Sequence, residues 1–214
     1  MLMRHPMLLI AMVMLCGMAS TEAQEKYHSG QHYQEVKPAV ESTVPAGSIE
    51  VVELFWYGCP HCYQFEPQIE KWLEEKPEKI AFKRVPAIFA KNWEVHARAF
   101  YAAEQLGILE RSHRALFDAI HEDHRKLFTE DQLAEFYAGF GVSEDEFRKA
   151  YNSFDVDAKT RQAMALTRRY GINGVPAIVV DGRYRSSTQQ TGSYEELLNV
   201  TDFLAAKSAS DARD

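Results

Sequence analysis

The sequence predicts an α/β fold in which an all-helical segment interrupts a single sheet. Residues 50–85 read as strand, helix and strand, a βαβ unit that should be parallel and right-handed. Over residues 86–170 the apolar residues recur with a 3.6-residue period and no strand signal. A hairpin pattern at 178–185 and a final helix follow. These strands can form one sheet only if the helical segment is inserted between them.

The composition is that of a globular protein. The chain has 214 residues, of which 46% are hydrophobic and 26% are charged. This length supports a hydrophobic core without a metal or a set of disulfides to hold it. The net charge of −7 argues against a nucleic-acid-binding protein. Three cysteines are too few for a disulfide framework.

Residues 1–23 have the parts of a secretory signal peptide. Arg4 and His5 precede a short apolar run over residues 7–19. Cleavage would follow Ala19 or Ala23. A membrane anchor is the alternative, but a run of about 13 residues is shorter than the roughly 20 needed to span a bilayer. We therefore expect the mature chain to be exported.

The signal peptide also changes the cysteine count. A lipoprotein anchor through Cys16 would need a small residue before it, and Leu15 stands there. Cleavage removes Cys16 and leaves Cys59 and Cys62 in a compartment where disulfides form.

The first half of the mature chain carries the βαβ unit. A polar segment up to residue 47 holds at most one short edge strand at 33–36. The apolar run 50–56 predicts a strand covered on both faces. Residues 59–75 have an apolar helical stripe, with a kink expected at Pro67. The second strand is expected at 80–85.

Capping signals divide the helical segment. Capping boxes begin at Thr129 and Ser143 and open its last two predicted helices. The second of these should carry one apolar face, formed by Phe147, Ala150, Tyr151 and Phe154.

After the helical segment, Asp181-Gly182 predicts a type I′ hairpin turn. Ser193 caps a helix that should end near Ala206. The predicted parts are a signal peptide (1–23), a first sheet part (24–86), a helical insertion (87–170), a second sheet part (171–207) and a flexible tail (208–214).

The motif Cys59-Pro60-His61-Cys62 lies at the junction of strand and helix. There, unpaired N–H groups and the helix dipole stabilise an anion, so the Cys59 thiolate should form at lower pH than that of a free thiol. His61 can add a donor or a positive charge, and Pro60 suits the first helical turn. Cys62, one turn further, should be buried and protonated. These features predict a thiol redox site.

Two other interpretations of the cysteine pair are weaker. A structural disulfide across four residues would contribute only about 2 kcal/mol. A zinc site needs four ligands, and the sequence has no second cysteine pair. His121 and His124 are read as solvated residues on a polar helix face, so we expect no metal.

Glu53 is unusual because it interrupts an apolar strand six residues before Cys59. A buried carboxyl should have a raised pKa unless it is paired. It would exchange a proton with Cys62, or else form an ion pair with Lys83 or Arg84 on the neighbouring strand.

The segment Gly174-Val175-Pro176-Ala177 precedes a strand. Alone it favours an ordinary trans turn. Beside a Cys-x-x-Cys motif, a cis Val175–Pro176 bond is expected, and it would present the Val175 backbone to an extended peptide.

These residues resemble the DsbA family, the periplasmic thiol:disulfide oxidases of Gram-negative bacteria. The resemblance rests on the signal peptide, Glu53, the Cys59-Pro60-His61-Cys62 motif with its following aromatic residues, and Gly174-Val175-Pro176. It implies a thioredoxin fold with an inserted helical subdomain. It also implies that Cys59 is the nucleophile, Cys62 the resolving thiol, Pro176 the cis-proline and Glu53 the buried acid.

The resemblance further implies how the protein works in the cell. It would oxidise reduced, unfolded exported proteins, and a DsbB-like quinone-linked membrane protein would reoxidise it. Trp56 and Tyr57, with the segment near Phe89 and Trp93, would border the groove for substrates. No cofactor is expected besides the Cys59–Cys62 disulfide, and the chain should be a monomer. An isomerase or reductase of the same compartment, and a peptide-binding chaperone, remain the alternatives.

Overall fold

A computed structural model describes residues 26–211, so the predicted signal peptide lies outside the described residues. This part of the chain forms five strands and eight helices. In chain order they are β1 (Gln34–Glu35), β2 (Ile49–Phe55), α1 (Pro60–Glu75), β3 (Ile80–Pro86), α2 (Lys91–Gln105), α3 (Leu109–His121), α4 (Glu130–Ala138), α5 (Glu144–Tyr151), α6 (Phe154–Arg169), β4 (Ala177–Val180), β5 (Tyr184–Ser187), α7 (Thr188–Thr191) and α8 (Tyr194–Asp211).

The strands form one mixed sheet, in the order β1-β5-β4-β2-β3. Strands β2 and β3 are parallel, as the βαβ pattern predicted, and β4 pairs antiparallel with β2. Helices α2 to α6 all lie between β3 and β4 in the chain, so the helical insertion into the sheet is confirmed. Every residue of β2 is buried, because the strand is central and helices cover both faces.

Two hydrophobic clusters cover the two faces of the sheet. Val52 and Leu54 point into the cluster shared with α2 to α6, whereas Ile49 and Val51 point into the one shared with α1 and α8. Because side chains alternate along a strand, Glu53 is expected on the α1 face. The buried face of α1 consists of Cys62, Phe65, Glu66, Ile69 and Trp72. The helix runs through Pro67, and the kink expected there stays a prediction.

Both predicted capping boxes are present, at the start of α4 and of α5. The face proposed for Phe147 to Phe154 is wrong at its end, because α5 ends at Tyr151 and a further helix, α6, begins at Phe154. The Ser153 side chain accepts a hydrogen bond from the Val156 N–H and starts this helix. Phe154 is consequently 79% exposed.

The hairpin of β4 and β5 has positive φ at both Asp181 (53°) and Gly182 (61°), as a type I′ turn requires. Val180 pairs with Tyr184, so three residues separate the paired positions. Gly182 is required by packing as well, since an added Cβ would lie 1.9 Å from the carbonyl oxygen of Val40.

The flexible tail expected from residue 208 is wrong for its first four residues, because α8 continues to Asp211. Ser208 is fully buried, and Asp211 accepts a hydrogen bond from the Tyr184 hydroxyl (3.0 Å) and pairs with Arg183 (3.2 Å). These contacts with the hairpin hold the last turn. No helix within residues 26–211 combines the length and the apolar character needed to cross a membrane.

Candidate active site

The two cysteines lie at the junction of β2 and α1. Cys59 is the N-cap residue of α1, and Pro60 follows in the first turn. The Cys59 N–H donates to the carbonyl oxygen of Trp56 (2.9 Å), which closes the turn after β2. Gly58 is needed in this turn, because an added Cβ would lie 2.4 Å from the Trp56 ring. Both thiols are free; Cys59 is 9% exposed and Cys62 is fully buried.

The pKa values of the two thiols are shifted in opposite directions. The pKa of Cys59 is lowered to about 6, first by a hydrogen bond from the Cys62 thiol, then by the N–H groups of Cys62 and His61 and the charge of His61, against the effect of burial. Burial raises the pKa of Cys62 well above its ordinary value, and the neighbouring Cys59 and Glu53 add to this. These shifts favour a thiolate at Cys59 and a protonated thiol at Cys62. The helix N-terminus and His61 were predicted, but the sequence did not indicate that Cys62 would be the principal donor.

His61 is exposed and faces the N-terminal end of α8. Its Nδ1 lies 3.4 Å from the Tyr194 hydroxyl, which also donates to Oε1 of Gln64 (3.3 Å). The Tyr194 ring stacks on Phe65 of α1 (5.4 Å between centroids). Sequence reasoning missed Tyr194, because its position beside the motif depends on how α8 packs against α1.

The predicted cis Val175–Pro176 bond is present, and Lys37–Pro38 is also cis. The Cys59 sulfur lies 3.5 Å from the Val175 carbonyl oxygen, which accepts a hydrogen bond when Cys59 is protonated. Val175 and Pro176 line a cavity of about 800 Å³ together with His61 and Tyr194. A peptide in this cavity would therefore pass directly beside the exchanging thiol.

Trp56 and Tyr57 have different surroundings. The half-buried Trp56 ring stacks on Trp93 (4.2 Å, 11° between planes), and the exposed Phe89 packs edge-on against Trp93. These three residues form an aromatic surface near the motif. Tyr57 was expected at the same groove, and this is wrong: its side chain is fully buried, and its hydroxyl contacts Nδ1 of His113 (2.7 Å). Helix α3 covers it.

Glu53 is fully buried and is held by Arg84 of β3. Nε of Arg84 donates to Oε2 of Glu53 (3.1 Å), and its Nη2 donates to Glu66 (3.2 Å) and Glu70 (2.9 Å) of α1. The ion pair expected with Lys83 or Arg84 is thus formed with Arg84, whereas Lys83 binds Glu50. Burial and the Glu66 charge nevertheless raise the pKa of Glu53 to about 8. Glu53 can therefore hold a proton at neutral pH despite its ion pair.

Of the two histidines considered as metal ligands, His121 is half-buried in the last turn of α3, whereas His124 is exposed beyond the end of that helix, so the shared helix face expected for them is wrong. His121 donates from Nε2 to the Tyr57 carbonyl oxygen (2.8 Å) and stacks on Tyr63. Across residues 26–211, no three His, Cys, Asp or Glu side chains are grouped so that they could hold a metal ion.

Comparisons with known proteins agree with this geometry. Residues 76–198 match the family model described as the DSBA-like thioredoxin domain. The thiol:disulfide interchange protein DsbA of Azotobacter vinelandii is 47% identical over 175 residues, covering 82% of this chain and 81% of that protein. DsbA of Pseudomonas aeruginosa is 42% identical over 205 residues, or 96% of each chain.

Solved structures give the same result. The crystal structure of Pseudomonas aeruginosa DsbA matches with a TM-score of 0.83 at 42% identity, covering 88% of this chain and 97% of that one. Oxidoreductase DsbA from Xylella fastidiosa matches with a TM-score of 0.80 at 37% identity, covering 86% and 98%. The fold is thus the predicted thioredoxin fold with a helical insertion. This chain belongs to the DsbA family of thiol:disulfide interchange proteins and is a protein disulfide oxidoreductase.

Proposed function

We propose that this protein donates the Cys59–Cys62 disulfide to pairs of thiols in reduced, unfolded proteins exported to the periplasm. The observation that carries the proposal is the position of Cys59 at the N-cap of α1 next to the fully buried Cys62, which lowers the pKa of Cys59 to about 6 and raises that of Cys62. A stabilised thiolate favours the reduced protein over the disulfide form, so the disulfide is a good oxidant.

The size of this effect follows from the pKa of Cys59. A thiol with a pKa near 9 is almost fully protonated at pH 7, whereas one with a pKa of about 6 is mostly ionised. The difference stabilises the reduced form by about 1.4 kcal/mol at pH 7, or about 30 mV for a two-electron couple.

The exchange proceeds in two steps. A substrate thiolate attacks the Cys59 sulfur, a substrate–Cys59 disulfide forms, and the Cys62 sulfur leaves with the electron pair of the broken bond. Cys62 then takes up a proton, which the protonated Glu53 carboxyl supplies. The second substrate thiolate attacks the substrate sulfur of the mixed disulfide, and Cys59 leaves as a thiolate. The substrate is oxidised by two electrons and the enzyme holds both.

Substrate and partner binding would use the surfaces beside Cys59. An extended peptide would lie along Val175 and Pro176, with the aromatic surface of Trp56, Phe89 and Trp93 providing apolar contacts. A DsbB-like quinone-linked membrane protein would then accept the two electrons and restore the disulfide. The enzyme would act as a monomer, with no cofactor besides the cysteine pair.

The test combines the oxidised enzyme with a reduced, unfolded protein that has two cysteines, and follows the loss of free thiols. We expect one substrate disulfide per enzyme molecule and no oxidation by Cys59→Ser. Cys62→Ser cannot oxidise thiols either, but when it is given a substrate that already contains a disulfide, its Cys59 thiolate should attack that bond and remain trapped in a mixed disulfide. If Cys59→Ser supported substrate folding as well as wild type does, the protein would be a peptide-binding chaperone. If the enzyme rearranged mispaired disulfides faster than it oxidised thiols, it would be an isomerase.

A further inference from the structure

A buried chain of hydrogen bonds reaches Glu66, which shares Arg84 with Glu53. We call Glu53, Glu66 and Arg84 the Glu53 cluster. Nε2 of His113 lies 3.4 Å from Oε1 of Glu66, and its Nδ1 lies 2.7 Å from the Tyr57 hydroxyl oxygen. All three side chains are at least nine-tenths buried. The exchange chemistry proposed above uses neither His113 nor Tyr57, and both have their polar atoms directed along this chain.

The hydrogen-bond directions along the chain are fixed by its two ends. The Glu66 carboxylate can only accept, so Nδ1 of a neutral His113 carries no proton and accepts from the Tyr57 hydroxyl, whose one hydrogen-bond partner within residues 26–211 is His113. The proton of a neutral imidazole is then on Nε2, from which it donates to Glu66. Burial lowers the pKa of His113, which agrees with a neutral ring.

The two buried carboxyls are consequently unequal. Glu66 accepts from both His113 and Arg84, whereas Glu53, among the described residues, accepts only from Nε of Arg84 and has no partner for its Oε1. Donated hydrogen bonds stabilise the charged form of a carboxyl, so Glu66 is the better carboxylate. When the carboxyls of Glu53 and Glu66 hold one proton between them, Glu53 therefore carries it.

We propose that His113 is a positioning residue: its hydrogen bond to Glu66 places the proton of the buried acid pair on Glu53, beside Cys62. The usefulness of this placement rests on the proposed proton transfer between Glu53 and Cys62. The tautomer of His113 is in turn set by Tyr57. The helical insertion, which supplies His113, thereby acts on the chemistry of the cysteine pair.

The electrostatic surroundings support this assignment. The charged groups facing His113 and Glu53 are Arg84 from β3, Glu66 and Glu70 from α1, and Arg114 from α3. Burial opposes ionisation of Glu66, but the hydrogen bond from His113 and the charge of Arg84 oppose the effect of burial, and the pKa of Glu66 is lowered. Arg84, His113 and Arg114 also line a cavity of about 450 Å³.

The test compares His113→Gln, which keeps an N–H donor near the position of Nε2, with His113→Met, which fills the space without one. The carboxyl carbon of Glu53 is titrated by NMR in the reduced protein, and Glu53→Gln identifies its signal. We expect midpoints near pH 8 for wild type and His113→Gln. We expect His113→Met to titrate about one unit lower or more, because Glu66 then takes the proton.

Two results would overturn the assignment: an unchanged midpoint in His113→Met, or equal shifts in both variants. Tyr57→Phe gives an independent measurement, because it frees the His113 tautomer while leaving the ring in place, and its midpoint should also fall. An unchanged midpoint in Tyr57→Phe would likewise contradict it. If instead Glu53→Gln oxidised substrate at the wild-type rate at every pH, the proposed role of Glu53 would fail while the proton placement stood.

Discussion

The hydrogen bond from Cys62 is the largest of the contributions that lower the pKa of Cys59, and this can be tested by removing the donor. Cys62→Ala deletes it, whereas Cys62→Ser keeps an O–H in nearly the same place. A hydrogen bond to a charged group contributes about 1.5–3 kcal/mol. One pKa unit corresponds to about 1.4 kcal/mol, so Cys62→Ala should raise the pKa of Cys59 by about one to two units.

The assay follows the ultraviolet absorbance of the thiolate against pH in the reduced proteins, with Cys59→Ser as the spectroscopic baseline. Wild type and Cys62→Ser should titrate near pH 6, and Cys62→Ala between about pH 7 and 8. Cys62 itself does not interfere in wild type, because its own pKa is raised well above the ordinary value.

The reasoning is wrong if Cys62→Ala still titrates near pH 6. The N–H groups at the start of α1 and the charge of His61 would then be sufficient to hold the thiolate. It is also wrong if Cys62→Ser shifts as far as Cys62→Ala, since packing around Cys62 rather than its donor would then matter.

Three further changes have definite expected results. Glu53→Gln should raise the free energy of unfolding by about 3 kcal/mol at pH 7, and this gain should vanish near pH 4. The reason is that a carboxyl with a raised pKa stabilises the fold at low pH, and this contribution is lost as the pH rises towards 8. Denaturant unfolding at both pH values tests this, and Glu50→Gln, which loses its ion pair, should destabilise the protein instead. His61→Ser should make the couple more reducing in equilibrium with glutathione, by less than about 30 mV, because its charge is the smallest of the contributions to the Cys59 pKa. Gly182→Ala should lower the free energy of unfolding by about 2 kcal/mol or more, because the added Cβ would collide with a backbone carbonyl. Gly30→Ala, also at positive φ but in open space, should lower it by less in the same unfolding assay.

The partner of Glu53 shows why part of the site could not be read from the sequence. Lys83 and Arg84 are adjacent on β3, so they point to opposite faces of the sheet. In the observed register Glu53 pairs with Arg84, and Lys83 reaches Glu50 on the other face. A shift of one residue would exchange these roles, and the sequence does not fix the register.

Tyr57 illustrates the second kind of limit. It lies within the motif region and was expected at the surface, yet α3 covers it, and its hydroxyl contacts a histidine 56 residues further along the chain. The positions of Tyr194 and Val175 beside the cysteines also depend on packing between segments more than 100 residues away in sequence. Such contacts leave no periodic signal in the chain.

The order of strands and helices, the Cys-x-x-Cys motif at the start of a helix and the buried carboxyl in β2 were all determined by the sequence itself. Each is a local property: side-chain periodicity defines the elements, and the ends of a helix carry fixed partial charges. Tertiary structure decided which cation holds Glu53 and which histidine reaches Glu66. Those choices depend on distances of about 3 Å between residues far apart in the chain, and only the packed fold sets such distances.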